Sequence, residues 1–145
     1  MLRGARDEDG STLLLAMFFG MLSLVLILMV TAATSLYLER KRLYSLADAA
    51  ALVGAEAFEL SSVSLDAGGP SLTLRSPQVH AAVSGFLEDD PVGSFDALVL
   101  EDAASRDGRS ASVTVSSAWR PPILSLFVPD GIRLEVTAVA RSVLR

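Results

Sequence analysis

The residues of this chain whose types suit proton transfer are one histidine, His80, and two adjacent carboxylate pairs, Asp89-Asp90 and Glu101-Asp102. Each has a plainer reading. His80 comes early in a short amphipathic helical pattern, where a surface imidazole is the ordinary outcome. Both acid pairs lie beside turn signals, and adjacent residues on a helix or strand point apart, so neither forms an acid–base couple. They read as solvated turn acids. The chain has no cysteine, which excludes disulfides, thiolate metal sites and a cysteine nucleophile. No phosphate loop, nucleophile elbow or metal-ligand spacing occurs. The expectation is therefore not an enzyme, with no cofactor and no metal. Trp119, just ahead of Arg120-Pro121-Pro122, is a candidate partner contact, with a core or membrane-facing aromatic as the equal alternative.

The elements that would carry these residues are set by where the apolar residues fall. The chain has 145 residues, room for one modest domain beside an anchor. Hydrophobic residues make up 51%, and the mean hydropathy is +0.47. The excess lies mainly in Leu13 to Val30, with a second stretch from Leu46 to Leu60. The net charge is -5, and basic residues are scattered singly outside Arg40-Lys41-Arg42. A nucleic-acid binder would show a basic stripe to neutralise phosphates, so no nucleic-acid partner is expected.

Leu13 to Val30 contains no charge, and the uncharged run extends to Leu38 before Glu39. About 20 apolar residues cross a hydrocarbon core of roughly 30 Å, so this segment is long enough to span a membrane as a helix. Tyr37 with Arg40, Lys41 and Arg42 gives an aromatic and basic collar at one interface, with the lipid bilayer as partner. Thr31-Ala32-Ala33 offers small residues of the kind a signal peptidase accepts. The apolar core nevertheless exceeds the roughly 7–15 residues of a signal peptide. Arg3 and Arg6 are also offset by Asp7, Glu8 and Asp9, so an uncleaved anchor is expected. Ala16, Gly20 and Ser23 place small residues along one side, which permits close helix–helix approach in lipid. Lys and Arg nearly tie across the helix, so local charge leaves orientation open.

No proline or glycine follows Gly20 until Gly54, so the helix is expected to continue from about Ser11 to Leu60. Leu43, Leu46, Ala47, Ala50, Gly54 and Ala57 fall on one face at helical spacing, opposite Lys41, Ser45, Asp48, Glu56 and Glu59. That small-residue face suits a closely packed sheet. Beyond it, Ser61 to Pro70 reads as a loop and Ser71 to Arg75 as a short strand. Ser76-Pro77 reads as a helix start with Ser at the N-cap, the helix running to about Glu88. Strands are expected at Phe95 to Glu101, Ser110 to Trp119 and Ile132 to Ala140, with turns at Arg106 to Arg109 and Pro129 to Gly131. Ile123 to Phe127 reads as a short apolar turn or helix. The fold class is α+β: a long N-terminal helix, transmembrane and then amphipathic, packed on a small antiparallel sheet. The divisions are an N-terminal tail 1–11, a transmembrane helix 12–37, an amphipathic extension 38–60, and an outer α+β domain 61–145.

Three stretches carry a resemblance. They are Asp7-Glu8-Asp9-Gly10-Ser11-Thr12 before the helix, Tyr37 to Leu43, and Leu46-Ala47-Asp48-Ala49-Ala50-Ala51-Leu52-Val53-Gly54-Ala55 after it. Together with the ending Gly131 to Arg141, they resemble the TadE/TadG-like proteins of Flp (Tad) pilus assembly. The resemblance implies a pilin-like fold and a minor pilin or pseudopilin-like component. It also implies an inner-membrane location, N-terminus in the cytoplasm and C-terminal domain outside, with other pilin-like or Tad assembly proteins as partners. If the chain is cut after Gly10, as prepilins are after a Gly, its fifth residue is Leu15, where the TadE branch has Glu. Gly10 and Ala33 thus both stay open as cut sites, and the chain stands closer to the TadG branch. Longer TadG proteins carry a metal-binding domain, whose Asp-x-Ser-x-Ser motif is absent here. The competing reading is a single-pass accessory or sensor protein whose outer domain binds an envelope ligand or partner.

Overall fold

The structure is a computed structural model, and it describes residues 6–57, 64–66, 69–71, 73–89, 95–121 and 129–141. Two compact units are distinguished, Met1–Tyr37 and Leu38–Arg145. The first holds the N-terminal part of helix α1, which runs Arg6–Glu56. Every side chain from Leu13 to Val30 is exposed except Leu28, which is half-buried. This helix is long and apolar enough to cross a membrane, and none of its most apolar window is buried. A core helix of a soluble protein would bury that surface. The hydroxyls of Thr31 and Thr34 donate to the carbonyls of Ile27 and Val30 at 2.8 and 2.9 Å. Such bonds to the preceding turn satisfy a hydroxyl without any outside partner.

In the second unit α1 turns two-faced. Leu43, Leu46, Ala47, Ala50, Ala51, Gly54 and Ala55 are buried, whereas Tyr44, Ser45, Asp48, Ala49 and Leu52 are exposed. α1 ends at Glu56, and the expected final turn, Phe58 to Leu60, lies outside the described residues. Strands β1 (Ser64–Asp66) and β2 (Gly69–Ser71) pair antiparallel as a separate small hairpin, where composition implies a loop. Of the strand expected at Ser71 to Arg75, Ser71 closes β2, Leu72 lies outside the described residues, and residues 73–75 are not in a strand. Instead Leu74 is buried, and its amide donates to the carbonyl of Gly108 at 2.8 Å, tying this segment to a hairpin loop.

Helix α2 spans Ser76–Asp89 and buries Val79 and Val83. Its start differs by one residue from expectation. The carbonyl of Arg75 accepts from the amide of Val79 at 3.1 Å, which makes Arg75 the N-cap. Ser76 instead reaches the backbone of Ser105: its hydroxyl donates to the carbonyl at 3.1 Å and accepts from the amide at 3.2 Å.

The main sheet has the order β3 (Val99–Ala104), β4 (Ser110–Trp119), β5 (Ile132–Arg141), all antiparallel. The α+β class and the three-stranded meander are as the sequence implies. β4 faces the core through Ala111, Val113, Val115 and Ser117, joined by Val136 and Ala138 of β5 and Ala103 of β3. β3 starts later than expected. Residues 95–98 instead form a turn in which Ala97 sits at φ 50°, and the amide of Ala118 donates to the carbonyl of Asp96 at 2.8 Å. Alternation in sequence does not reveal a left-handed residue. A Cβ is crowded in that conformation, so Ala97→Gly should stabilise the domain by up to about 1 kcal/mol. A urea midpoint followed by fluorescence of the single Trp119 checks this, and a lower midpoint would count against the turn. At the β4–β5 turn Gly131 has φ 72°, and a Cβ there would lie 2.7 Å from the Trp119 carbonyl oxygen. No side chain fits.

The β3–β4 loop is held by Asp107. Its Oδ1 accepts from the amides of Arg109 and Ser110 at 2.9 and 2.7 Å, and its Oδ2 from the Ser110 hydroxyl at 2.9 Å. These bonds, the Arg109 amide first, lower the carboxyl from its ordinary 3.8 to about 2. A pKa depressed by folding means that the folded state favours the carboxylate. The contribution is therefore complete above about pH 4 and is lost as pH falls towards 2. Asp107→Ala should lower stability at neutral pH and flatten the loss of stability over that window. Urea titrations at several pH values test it, and an unchanged slope for the variant would refute the loop's role. The apolar turn expected at Ile123 to Phe127 lies outside the described residues.

Candidate functional site

α1 carries most of the residues singled out by sequence. Ala16, Gly20 and Ser23 are exposed on it, and nothing lies within 4 Å of where a Gly20 Cβ would be. The backbone at Gly20 is thus open to approach by another helix. The collar follows at the end of the apolar run. Tyr37 is 65% exposed, and Arg40, Lys41 and Arg42 are exposed as well. Arg42 comes within 3.9 Å of Glu39 one turn back, an exposed pair of little energetic weight. Lys41 makes no ion pair among the described residues.

Further along, Leu43, Leu46, Ala47, Ala50 and Gly54 are buried and Ala57 is half-buried. A Cβ on Gly54 would meet Val79 at 3.0 Å, Val83 at 3.1 Å and Ala111 at 3.2 Å. The Ala and Gly face of α1 is therefore pressed against both α2 and β4. Trp119 closes β4 at 6% exposure, which is the core placement of the two weighed for it.

The titratable residues are scattered. His80 is exposed on α2, its Nδ1 3.4 Å from the Ser84 hydroxyl. Asp89 is exposed at the end of α2, and Asp90 lies outside the described residues. Glu101 and Asp102 sit at a bulge in β3, where the register with β4 shifts. There Glu101 Oε1 accepts from the Ser116 hydroxyl and from Arg133 Nη2, each at 2.6 Å. Arg133 also donates to Ser116 at 2.8 Å. The Ser116 hydrogen bond and then that of Arg133 hold the Glu101 carboxyl below its ordinary range. This bridge across three strands covers Ser116, which is fully buried on the outward face of the sheet. No local pattern in the sequence marks it, because its members are 15 to 32 residues apart. Beside it the hydroxyls of Thr114 and Thr137 pair across β4 and β5 at 2.9 Å. Both features fasten strands together. Among the described residues, no group of three or more His, Cys, Asp or Glu is placed to hold a metal ion.

The longest exposed apolar surface among the described residues thus lies on α1, which is bare in the first unit, is followed by a basic collar, and is seated by one face in the second unit. Residues 10–57 match the family model described as "Putative Flp pilus-assembly TadE/G-like". No curated protein and no solved structure matches the chain. The matched segment covers nearly the whole of α1, from the exposed apolar run to the face seated on the domain. Over residues 10–57, about a third of its length, the chain is similar to the TadE/G-like domain of Flp pilus assembly.

Proposed function

We propose that this chain is a structural minor component, minor pilin-like, of a Flp (Tad) pilus or its assembly machinery. In this reading the first unit of α1 spans the inner membrane with its N-terminus in the cytoplasm, and the second unit lies outside. The protein works by contact rather than catalysis. Ala16, Gly20 and Ser23 pack against membrane helices of other pilin-like proteins. Tyr37, Arg40, Lys41 and Arg42 anchor the helix at the lipid headgroups, and the outer domain meets assembly partners. The supporting observation is that the family match falls on the same residues that leave an apolar helix uncovered. An apolar surface of that length is stable only against lipid or other apolar helices.

The test is isolation of the full chain from its native membranes. It should remain in the pellet after alkaline carbonate washing and co-purify in mild detergent with the major pilin or other Tad proteins. Recovery in the soluble fraction would overturn the reading. So would recovery from membranes with partners unrelated to pili, which would favour the accessory or sensor alternative.

A further inference from the structure

Three cations follow one another near the start of the second unit, Arg40, Lys41 and Arg42, with Glu39 as the one acid beside them. Successive residues of a helix point about 100° apart, so the three do not act as one charge. Glu39 is half-buried and lies 3.9 Å from Arg42, which therefore has its counter-charge. Arg40 and Lys41 are directed to the other side of α1, and neither forms an ion pair among the described residues. Tyr44 stands one turn on, four residues after Arg40 and three after Lys41, the spacing of neighbours on a helix surface. All three are exposed. The domain buries a different side of α1, through Leu43, Leu46, Ala47 and Ala50. The next acid along the helix is Asp48, a further turn away.

We infer that Arg40, Lys41 and Tyr44 form a site for the phosphate of an anionic phospholipid of the phosphatidylglycerol type. The inference rests on the membrane-spanning reading and gives the basic collar a lipid class. Arg40 and Lys41 lie about 3–5 Å past Leu38 along the helix, within reach of a headgroup layer roughly 5–8 Å thick. The donors suit an oxyanion: a planar guanidinium fork, an ammonium and a phenol O–H. Charge selects among lipids. The phosphate of phosphatidylethanolamine is already offset by its own ammonium, which Arg40 and Lys41 repel. Phosphatidylglycerol carries no such cation, so its phosphate neutralises the two charges that lack an acid. Attraction of a single Lys or Arg to an anionic surface is on the order of fivefold in association, and salt weakens it.

The full chain is reconstituted in phosphatidylcholine vesicles containing a trace of spin-labelled phosphatidylglycerol or spin-labelled phosphatidylcholine. The immobilised fraction of each label, read by electron spin resonance, gives their relative association with the protein. Phosphatidylglycerol should be preferred several-fold. Lys41→Gln and Arg40→Gln should each remove much of that preference, and Tyr44→Phe a smaller part. Arg42→Gln makes the same change in net charge but should remove little, because Arg42 is matched by Glu39. Equal loss in Lys41→Gln and Arg42→Gln would mean a diffuse charge and no site. Preference abolished by millimolar inorganic phosphate would assign the site to a soluble anion instead. If both labels are immobilised equally, the lipid site is wrong and the membrane-spanning reading stands. Should Lys41→Gln then release pilus proteins, the face serves an acidic protein partner. If neither label is immobilised, the chain does not span the bilayer and both readings fall.

Discussion

Arginine at both Leu22 and Leu26 should shift the chain out of the carbonate-resistant membrane fraction. Between Leu13 and Val30 there are twelve Leu, Ile, Val or Phe residues. Each favours insertion by about 0.3–0.6 kcal/mol, giving a total of roughly 4–7 kcal/mol. An arginine near the helix centre costs about 2.5–3.5 kcal/mol, and each substitution also removes a leucine. Two such changes cost about as much as the whole segment provides, whereas one would leave a surplus. No acid lies near enough on this stretch to neutralise either arginine, since the run is uncharged to Leu38. The matched control is Leu22→Ala with Leu26→Ala, which removes the same leucines without adding charge and should stay in the membrane. Fractionation and carbonate washing read both. If the double arginine variant remained fully integrated, the segment would owe its place to protein contacts rather than to lipid.

How far the fold can be read from sequence depends on whether a single period governs the stretch. α1 and β4 each have one face turned to the core over many residues. Periods of 3.6 and 2 therefore show directly in Leu43, Leu46, Ala47 and Ala50, and in Ala111, Val113 and Val115. The errors fall where backbone geometry, rather than burial, decides. Phe95 to Leu98 alternates like a strand, but Ala97 turns left-handed there. Ser71 to Arg75 alternates too, yet Leu74 is buried by being tied to Gly108 rather than by sheet pairing. Ser76 looks like a helix cap, but its hydroxyl serves the loop at Ser105. Of the candidate site, the apolar run and its collar are legible because composition alone marks them. The Glu101–Ser116–Arg133 bridge is not, since it depends on a bulge that brings a carboxylate over a serine on the next strand. Such a meeting follows from register, and register follows from the completed sheet.

The second large effect is expected at Gly54, where the C-terminal part of α1 is seated against α2 and β4. A single added Cβ would already stand 3.0–3.2 Å from Val79, Val83 and Ala111. Gly54→Ala sets this crowding against a gain of up to about 1 kcal/mol from helix propensity, so its net change should stay within about 1 kcal/mol. Gly54→Leu adds three more carbons to the same gap. Overpacking of this kind costs about 1–3 kcal/mol, occasionally more, and here the blockers include β-branched side chains on a helix, whose rotamers are stiff. The seat must open, and with it the contact between α1 and both α2 and β4. Against the roughly 5–15 kcal/mol that holds a typical domain, a loss of about 3 kcal/mol is large. Ala49→Leu puts the same side chain on the exposed face of the same helix and should change stability little. Urea unfolding of the full chain in detergent micelles, followed by Trp119 fluorescence, compares the three. Equal midpoints for Gly54→Leu and Ala49→Leu would mean that α1 is not docked through this face. The docked domain would then need another explanation for its buried Ala and Gly stripe.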